Sequence, residues 1–240
     1  MDPEFSSHFE SLSMSSRANR KRSNQSGGNP SSRKRVKRDT SAGAKKLFSR
    51  YVDAENADVI LTDGMEKLCS DLKISDDDPA LLALAWCMKC EDLGTITWEE
   101  FDCGLRKLGV TTLDAFKKCI PRLRDFLGEE KAHREILRFS FNAAKESSQK
   151  HLDIEVASEL LKILRSGCPH TEQFVVFLGQ HTKIKCLNVD QWTMWKDFAD
   201  SIDYDYANYD PAGPWPVLFD DFVEWVKKSS PAQEHVMDTS

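Results

Sequence analysis

An all-α fold is expected: one compact multi-helix domain with EF-hand-like helix-loop-helix units lacking calcium ligands, preceded by a disordered basic tail. Three observations predict it. From Ala44 to about Lys228, apolar residues recur at helical spacing with hardly any strand-like alternation. Helix-start signatures punctuate that pattern at short intervals. Charge divides the 240 residues in two: through Arg50 twelve Lys and Arg face four Asp and Glu, a net +8, while the remainder holds 21 against 35, a net -14. The overall -6 therefore describes neither part. The expected division is a tail at 1–42, a folded domain at 43–230 and a short disordered tail at 231–240.

The first segment, dominated by Ser, Asn, Gly and Arg, has almost nothing to bury, hence the disorder expected there. Its opening Met1-Asp2-Pro3-Glu4-Phe5 reads as a cloning-derived leader. Arg20-Lys21-Arg22 is followed by ten mostly polar residues and then Arg33-Lys34-Arg35-Val36-Lys37-Arg38. Two basic clusters on such a spacer have the form of a bipartite nuclear-import signal, which is the expected reading, with acidic pockets of an import carrier taking both; a merely solvated tail is the bland alternative. The nucleus, with the cytoplasm as second location, is the expected address. Nucleic-acid contact is the competing reading, although stacking aromatics and a folded basic face are missing from this stretch.

Within the domain, Asp78-Pro79 sets Pro at a helix start before Ala80-Leu81-Leu82-Ala83-Leu84-Ala85-Trp86, and the apolar run to Met88 predicts a central helix. Thr97-Trp98-Glu99-Glu100 and Asn188-Val189-Asp190-Gln191 each fit a capping box. Further periodic stretches near 112–127, 130–145, 154–166, 171–183 and 217–227 bring the total to about ten helices.

Three segments echo EF-hand loops. From Lys89 to Glu100 the turn Gly94, the central Ile96 and the final Glu100 fall at positions 6, 8 and 12, but Lys89 and Leu93 occupy positions 1 and 5, where calcium needs oxygen donors. Around Ile60 the loop has Ala57 and Gly64 at positions 5 and 12; around Leu152 it has Lys145 first and Val156 last. The helix-loop-helix geometry is expected without the ion. A calcium sensor is the alternative this pattern offers.

Composition argues against catalysis and metal chemistry. Seven cysteines are an odd number in a chain long enough to build its own core, so reduced thiols are expected. Cys87-Met88-Lys89-Cys90 supplies two thiolates where structural zinc needs four ligands. No His sits in a local motif with a thiol, and no phosphate loop, HExxH or GxSxG occurs. No catalytic residue, metal or cofactor is expected. Neither a membrane-spanning run nor a secretory signal is present.

The C-terminal part is the most informative. Between Asp190 and Glu224 lie nine acidic residues and one base, Lys196, interleaved with Trp192, Trp195, Tyr204, Tyr206, Tyr209 and Trp215, with Trp225 adjoining. This is either a solvated acidic face over an aromatic core or a docking surface for a basic partner, charge giving on-rate and aromatics affinity.

From Asn208 to Trp225, NYDPAGPWPVLFDDFVEW, the sequence resembles the signature of the defective-in-cullin-neddylation family, whose domain is called potentiating-neddylation (PONY). The likeness extends over most of 45–228 through Asp63-Gly64-Met65, Leu84-Ala85-Trp86, Phe139-Ser140-Phe141-Asn142 and Leu152-Asp153-Ile154-Glu155. It implies an all-helical, calcium-free EF-hand-like domain and a non-catalytic, scaffold-type neddylation ligase. Such a scaffold holds the cullin C-terminal domain and the conjugating enzyme of the ubiquitin-like modifier NEDD (Rub) together, beside a RING-box protein, and so activates cullin-RING ubiquitin ligases. A monomer is expected. The family's Asp-Ala-Asp cullin-binding patch falls on Asp190, Pro214 and Asp220, with proline replacing alanine. Its pocket for the N-terminally acetylated methionine of the conjugating enzyme falls on Met65, Leu81, Leu84, Ala85, Met88, Ile96, Ala143, Leu160 and Ile163. Ala143 and Leu160 stand where relatives carry aromatic residues. The chain resembles relatives with a short basic tail, not those with a ubiquitin-binding N-terminal domain.

Overall fold

The computed structural model describes residues 42–181 and 183–229, and the tail with its basic clusters lies outside them. Among the described residues are ten helices: α1 (42–48), α2 (Thr62–Leu72), α3 (Ala80–Met88), α4 (Trp98–Leu108), α5 (Leu113–Gly128), α6 (Glu130–Ala144), α7 (Ile154–Leu164), α8 (Pro169–Gln180), α9 (Val189–Ser201) and α10 (Val217–Ser229). Four two-residue strands complete the set: β1 (Val59–Ile60), β2 (Ile96–Thr97), β3 (Leu152–Asp153) and β4 (Cys186–Leu187). The fold is all-α, as its periodicity predicts. No described helix is long and apolar enough to cross a membrane.

The strands reveal the plan. β1 pairs antiparallel with β2, setting Ile60 opposite Ile96, and β3 pairs with β4, setting Leu152 opposite Leu187. Each strand sits between two helices, so the domain holds two pairs of helix-loop-helix units: α1–β1–α2 with α3–β2–α4, and α6–β3–α7 with α8–β4–α9. Sequence patterning exposed three of these units and missed the fourth, whose loop lies between Gln180 and Gln191. Its one readable mark is Leu187 ahead of the Asn188 capping box.

Local chemistry closes the loops without an ion. Glu100, at the last ligand position of its loop, accepts the backbone N–H of Glu91 at 2.9 Å, the N–H of Thr97 at 2.7 Å and the Thr97 hydroxyl at 2.8 Å. Gln191, at the matching position of the fourth loop, accepts the Asn188 N–H at 3.0 Å, and its own N–H donates to Asn188 Oδ1 at 2.8 Å. The position that binds calcium bidentately in an EF-hand has become the far end of a capping box.

α3 is buried along most of its length and packs against α4, α5 and α6. Asp78 caps it, accepting the Ala80 N–H at 2.9 Å through Oδ1. α6 in turn touches α3, α5, α7 and α9, so it joins the two halves of the core. The C-terminal half is packed with rings: Phe174 stacks on Trp195 at 3.8 Å, while Phe198, Phe219 and Phe222 close around them. Trp192 donates its indole N–H to the Leu137 carbonyl at 2.7 Å, so a buried polar atom is satisfied.

Gly64 in α2 allows a backbone contact that no side chain could share: a Cβ there would lie 1.9 Å from the Tyr51 carbonyl oxygen. Because that obstacle is backbone, it cannot rotate aside. Gly64→Ala is expected to cost at least about 2 kcal/mol in urea unfolding despite alanine's better helix propensity. Gly128→Ala, where a Cβ meets nothing within 4 Å, is expected to be neutral or stabilising by up to about 1 kcal/mol in the same measurement.

Candidate functional site

The first candidate site is an apolar cavity of about 640 Å³, its open mouth included, bounded by α2, α3 and the loop through β2, with Ile163 of α7 closing one side. Seven of the nine residues expected at the acetyl-methionine pocket line it: Met65, Leu81, Leu84, Ala85, Met88, Ile96 and Ile163. Ala143 and Leu160 do not. Both are buried in the core, Leu160 completely. Leu68, Cys69, Leu82, Cys90 and Leu93 complete the apolar lining, and the polar part consists of Asp76, Asp78 and Asp92. The wall thus holds four sulfur-bearing side chains and no aromatic ring, a soft, adaptable surface for a flexible apolar group.

The loop braced by Glu100 supplies one side of this cavity, and it leaves α3 through Lys89, which is in the left-handed region at φ 59°. The apolar wall follows from α3 itself, whose sequence leaves no polar face to turn inward. Asp78 is neutralised in place: Arg124 Nε donates to its Oδ1 at 3.2 Å and Nη2 donates to Oδ2. Burial alone would raise its carboxyl, but Arg124 and the Ala80 N–H hold it below the usual carboxylate range.

The CxxC cysteines are ordinary core. Cys87 and Cys90 are free and buried, and burial pushes both thiols up. Cys69 is pushed up to about 12, chiefly by burial. Thiols held protonated are poor nucleophiles. No described group of three or more His, Cys, Asp or Glu is placed to hold a metal ion.

The second candidate site lies in the other half. Asp190 is exposed in the first turn of α9, and Asp220 occupies the first turn of α10. Both benefit from the positive end of a helix dipole. Pro214 is exposed in the preceding loop, where Gly213 N–H donates to Asp210 O at 3.0 Å and Ala212 N–H to Asp210 Oδ1 at 2.9 Å. Trp215 pins this loop against Phe198 of α9, ring centroids 5.5 Å apart, and against Phe219 of α10 at 6.3 Å. Asp220 also accepts the Tyr209 hydroxyl, so it supports the loop as well as carrying charge.

The structure corrects the charge count of this stretch. Lys196 is buried and bonded to Glu130 and Asp200, both at 2.6 Å. Asp200 also takes Arg165, Asp197 takes Arg134 at 3.0 Å, and Glu224 takes Lys228 at 2.5 Å. Three of the nine acids are therefore paired, and among the described residues the other six, Asp190, Asp203, Asp205, Asp210, Asp220 and Asp221, have no cation partner. The aromatic residues divide too: Trp192, Trp195, Tyr206 and Tyr209 are buried core, Trp215 and Trp225 are half-buried, and Tyr204 is exposed.

Beside the ion network lies His133, buried with its Nε2 unpartnered and lowered to about 4 by burial and then by the Arg165 and Lys196 cations; Asp200 and Glu130 act against them. The unfolded chain, at about 6.5, binds a proton before the native state does, so stability falls as pH drops from 6.5 toward 4. Glu130 and Asp200 have depressed carboxyls, and their contribution is lost only below their ordinary values of 4.5 and 3.8. Urea unfolding is expected to show about 2 kcal/mol of stability lost between pH 7 and pH 5 through His133. His133→Leu should remove that slope while leaving the steeper fall below pH 4.5.

Residues 115–225 match the family described as cullin binding. The chain is 36% identical to human DCN1-like protein 4 over 178 residues, covering 74% of this chain and 61% of that protein. Against Drosophila melanogaster DCN1-like protein 3 it is 34% identical over 76% of this chain and 55% of that protein. With human DCN1-like protein 5 it shares 32% identity over 77% of this chain and 78% of that protein. It thus spans about three-fifths of the length of some of these relatives and more than three-quarters of others. Identity of this extent over most of the chain, on an all-α domain of paired helix-loop-helix units, means that the chain belongs to the DCN1-like family.

Proposed function

We propose that this protein binds a cullin and serves as a non-catalytic neddylation cofactor, a scaffold holding the cullin C-terminal domain close to the conjugating enzyme charged with NEDD (Rub), alongside a RING-box protein. The observation that carries this reading is the pair of first-turn aspartates, Asp190 and Asp220, which have no cation partner among the described residues while neighbouring acids are neutralised. They can meet a basic partner without first breaking an internal ion pair. The match to the cullin-binding family and the names of its relatives support it.

The apolar cavity fits the second role, seating the acetylated N-terminal methionine of the conjugating enzyme. A methionine side chain contributes roughly 1.5 to 3 kcal/mol on burial, whereas a free ammonium carried into the apolar part would cost more than that. Holding both partners converts transfer from thioester to lysine into a reaction at high effective concentration. No thiol carrier is needed, consistent with the buried cysteines of α3 and its C-terminal turn. The basic clusters would direct the protein to the nucleus through an import carrier. The calcium-sensor alternative gains nothing from Glu100, whose carboxylate is already committed to its own loop.

The test is cullin binding and modification by the full chain carrying Asp190→Asn and Asp220→Asn. Asparagine at 220 can still accept the Tyr209 hydroxyl, so charge is removed without releasing the loop. Binding to the cullin C-terminal domain is expected to weaken roughly tenfold, with a parallel fall in stimulated modification. Undiminished binding would reject this surface.

A further inference from the structure

The lining of the apolar cavity carries a carboxylate, Asp76, that has no cation partner among the described residues. Three aspartates line the cavity, and they differ in what they already hold. Asp78 is paired with Arg124. Asp92 Oδ1 accepts the Gly94 N–H at 2.9 Å and so shapes the loop. Asp76 accepts only the N–H of its neighbour Asp77, at 3.1 Å through Oδ1, and no described Lys, Arg or His lies within ion-pair distance of it. It is half-buried, and its charge reaches Cys69 in the cavity wall, whose thiol it helps to raise. Asp76 is thus a partly exposed carboxylate of the cavity lining with no cation partner among the described residues.

We propose that Asp76 is a specificity-determining residue of this site: it selects, among N-terminal peptides whose blocked apolar first residue fills the cavity, those with a lysine or arginine in the next few positions. This deepens the scaffold reading and rests on the cavity being a peptide site. The physical reason is complementarity at short range. The apolar wall takes the first side chain and contributes affinity independent of sequence beyond it, while the second to fourth residues pass the mouth, where a cation gains Asp76 and a second carboxylate is repelled. Asp78 cannot play this part, because its charge is balanced by Arg124. The pair is partly exposed, so the effect is modest and salt-sensitive.

The test uses the full chain and fluorescent synthetic peptides beginning acetyl-Met, with one position among residues two to four set to Lys, Gln or Glu, measured by anisotropy at low and high salt. Affinity is expected in the order Lys, Gln, Glu, with about two- to fivefold between successive members at low salt. The order should collapse in Asp76→Asn and at 0.5 M NaCl, while binding of the Gln peptide persists. An order that is absent, or that survives Asp76→Asn, overturns the proposal about Asp76 and leaves the cavity reading intact. Failure of every acetylated peptide to bind overturns the cavity reading, and Asp76 with it. A free-amine Met peptide that outbinds its acetylated counterpart, losing that advantage in Asp76→Asn, would show that the carboxylate reads the terminal ammonium, which also overturns the proposal. Leu84→Asp, which places a charge on the apolar wall, should abolish all binding and is checked for folding by far-ultraviolet circular dichroism.

Discussion

The loop between α3 and α4 must be held in shape by its own side chains, and much of the fold's useful geometry rests on how Glu100 does it. An EF-hand loop gathers its backbone around a cation; here the same curvature is kept by an anion accepting two backbone N–H groups and one hydroxyl. Inverting the sign of the central charge inverts the chemistry required of the loop. Donors of hydrogen bonds replace donors of oxygen lone pairs, which is why Lys89 and Leu93 are tolerated at positions where a calcium loop needs Asp or Asn. The ladder to β1 then locks this loop to the first helix-loop-helix unit, with Ile60 opposite Ile96. Ile96, Leu93 and Cys90, all in or beside this loop, form part of the cavity wall. The hydrogen bonds of Glu100 thus shape one side of the cavity.

A second consequence concerns charge. Formal counting makes the stretch from Asp190 to Glu224 nine acids against one base, but the base is an internal element. Lys196 ties α9 to Glu130 at the start of α6, and Arg165 brings the end of α7 to the same cluster through Asp200. Burying an ammonium is unfavourable unless it is paired and hydrogen-bonded, and removing one partner would leave an uncompensated charge. The cluster therefore fixes where α9 stands, and with it the position of Asp190. Paired acids build the support; unpaired acids remain for a partner.

Much of this was legible beforehand, and the exceptions share a cause. Helices follow from 3.6-residue apolar spacing and from caps that act within four residues, so Thr97–Glu100 and Asn188–Gln191 announce themselves. The loop through Cys186 does not, because its shape depends on pairing with Leu152 some 35 residues away and its sequence offers no glycine or acidic punctuation. Similarly, family likeness brought Leu160 and Ile163 together as pocket positions. Only packing reveals that three residues along α7 separate a wholly enclosed side chain from one that reaches the cavity. The ion pairs of Arg134 with Asp197 and of Arg124 with Asp78 span 63 and 46 residues, beyond any local pattern. What sequence hides is long-range pairing, and that is what separates the charges that build the fold from those that face outward.

The arrangement of the two sites suits a scaffold for a mechanical reason. The cavity draws most of its wall from α2, α3 and β2, whereas Asp190 and Asp220 stand on α9 and α10, so two partners could be held without competing for surface. Tethering raises effective concentration only as far as the tether fixes relative position, and a soft link between sites would forfeit much of it. Here the link is α6. It packs on α3 beside the cavity and on α9 beside the acidic surface, receives the Trp192 indole N–H at its Leu137 carbonyl, and anchors Lys196 through Glu130. Ile163 of α7, which packs on α6, reaches across to close the cavity. A single helix thus holds both halves in register. In the proposed scaffold reading, the relative orientation of the two surfaces would be set by α6 and the groups buried against it.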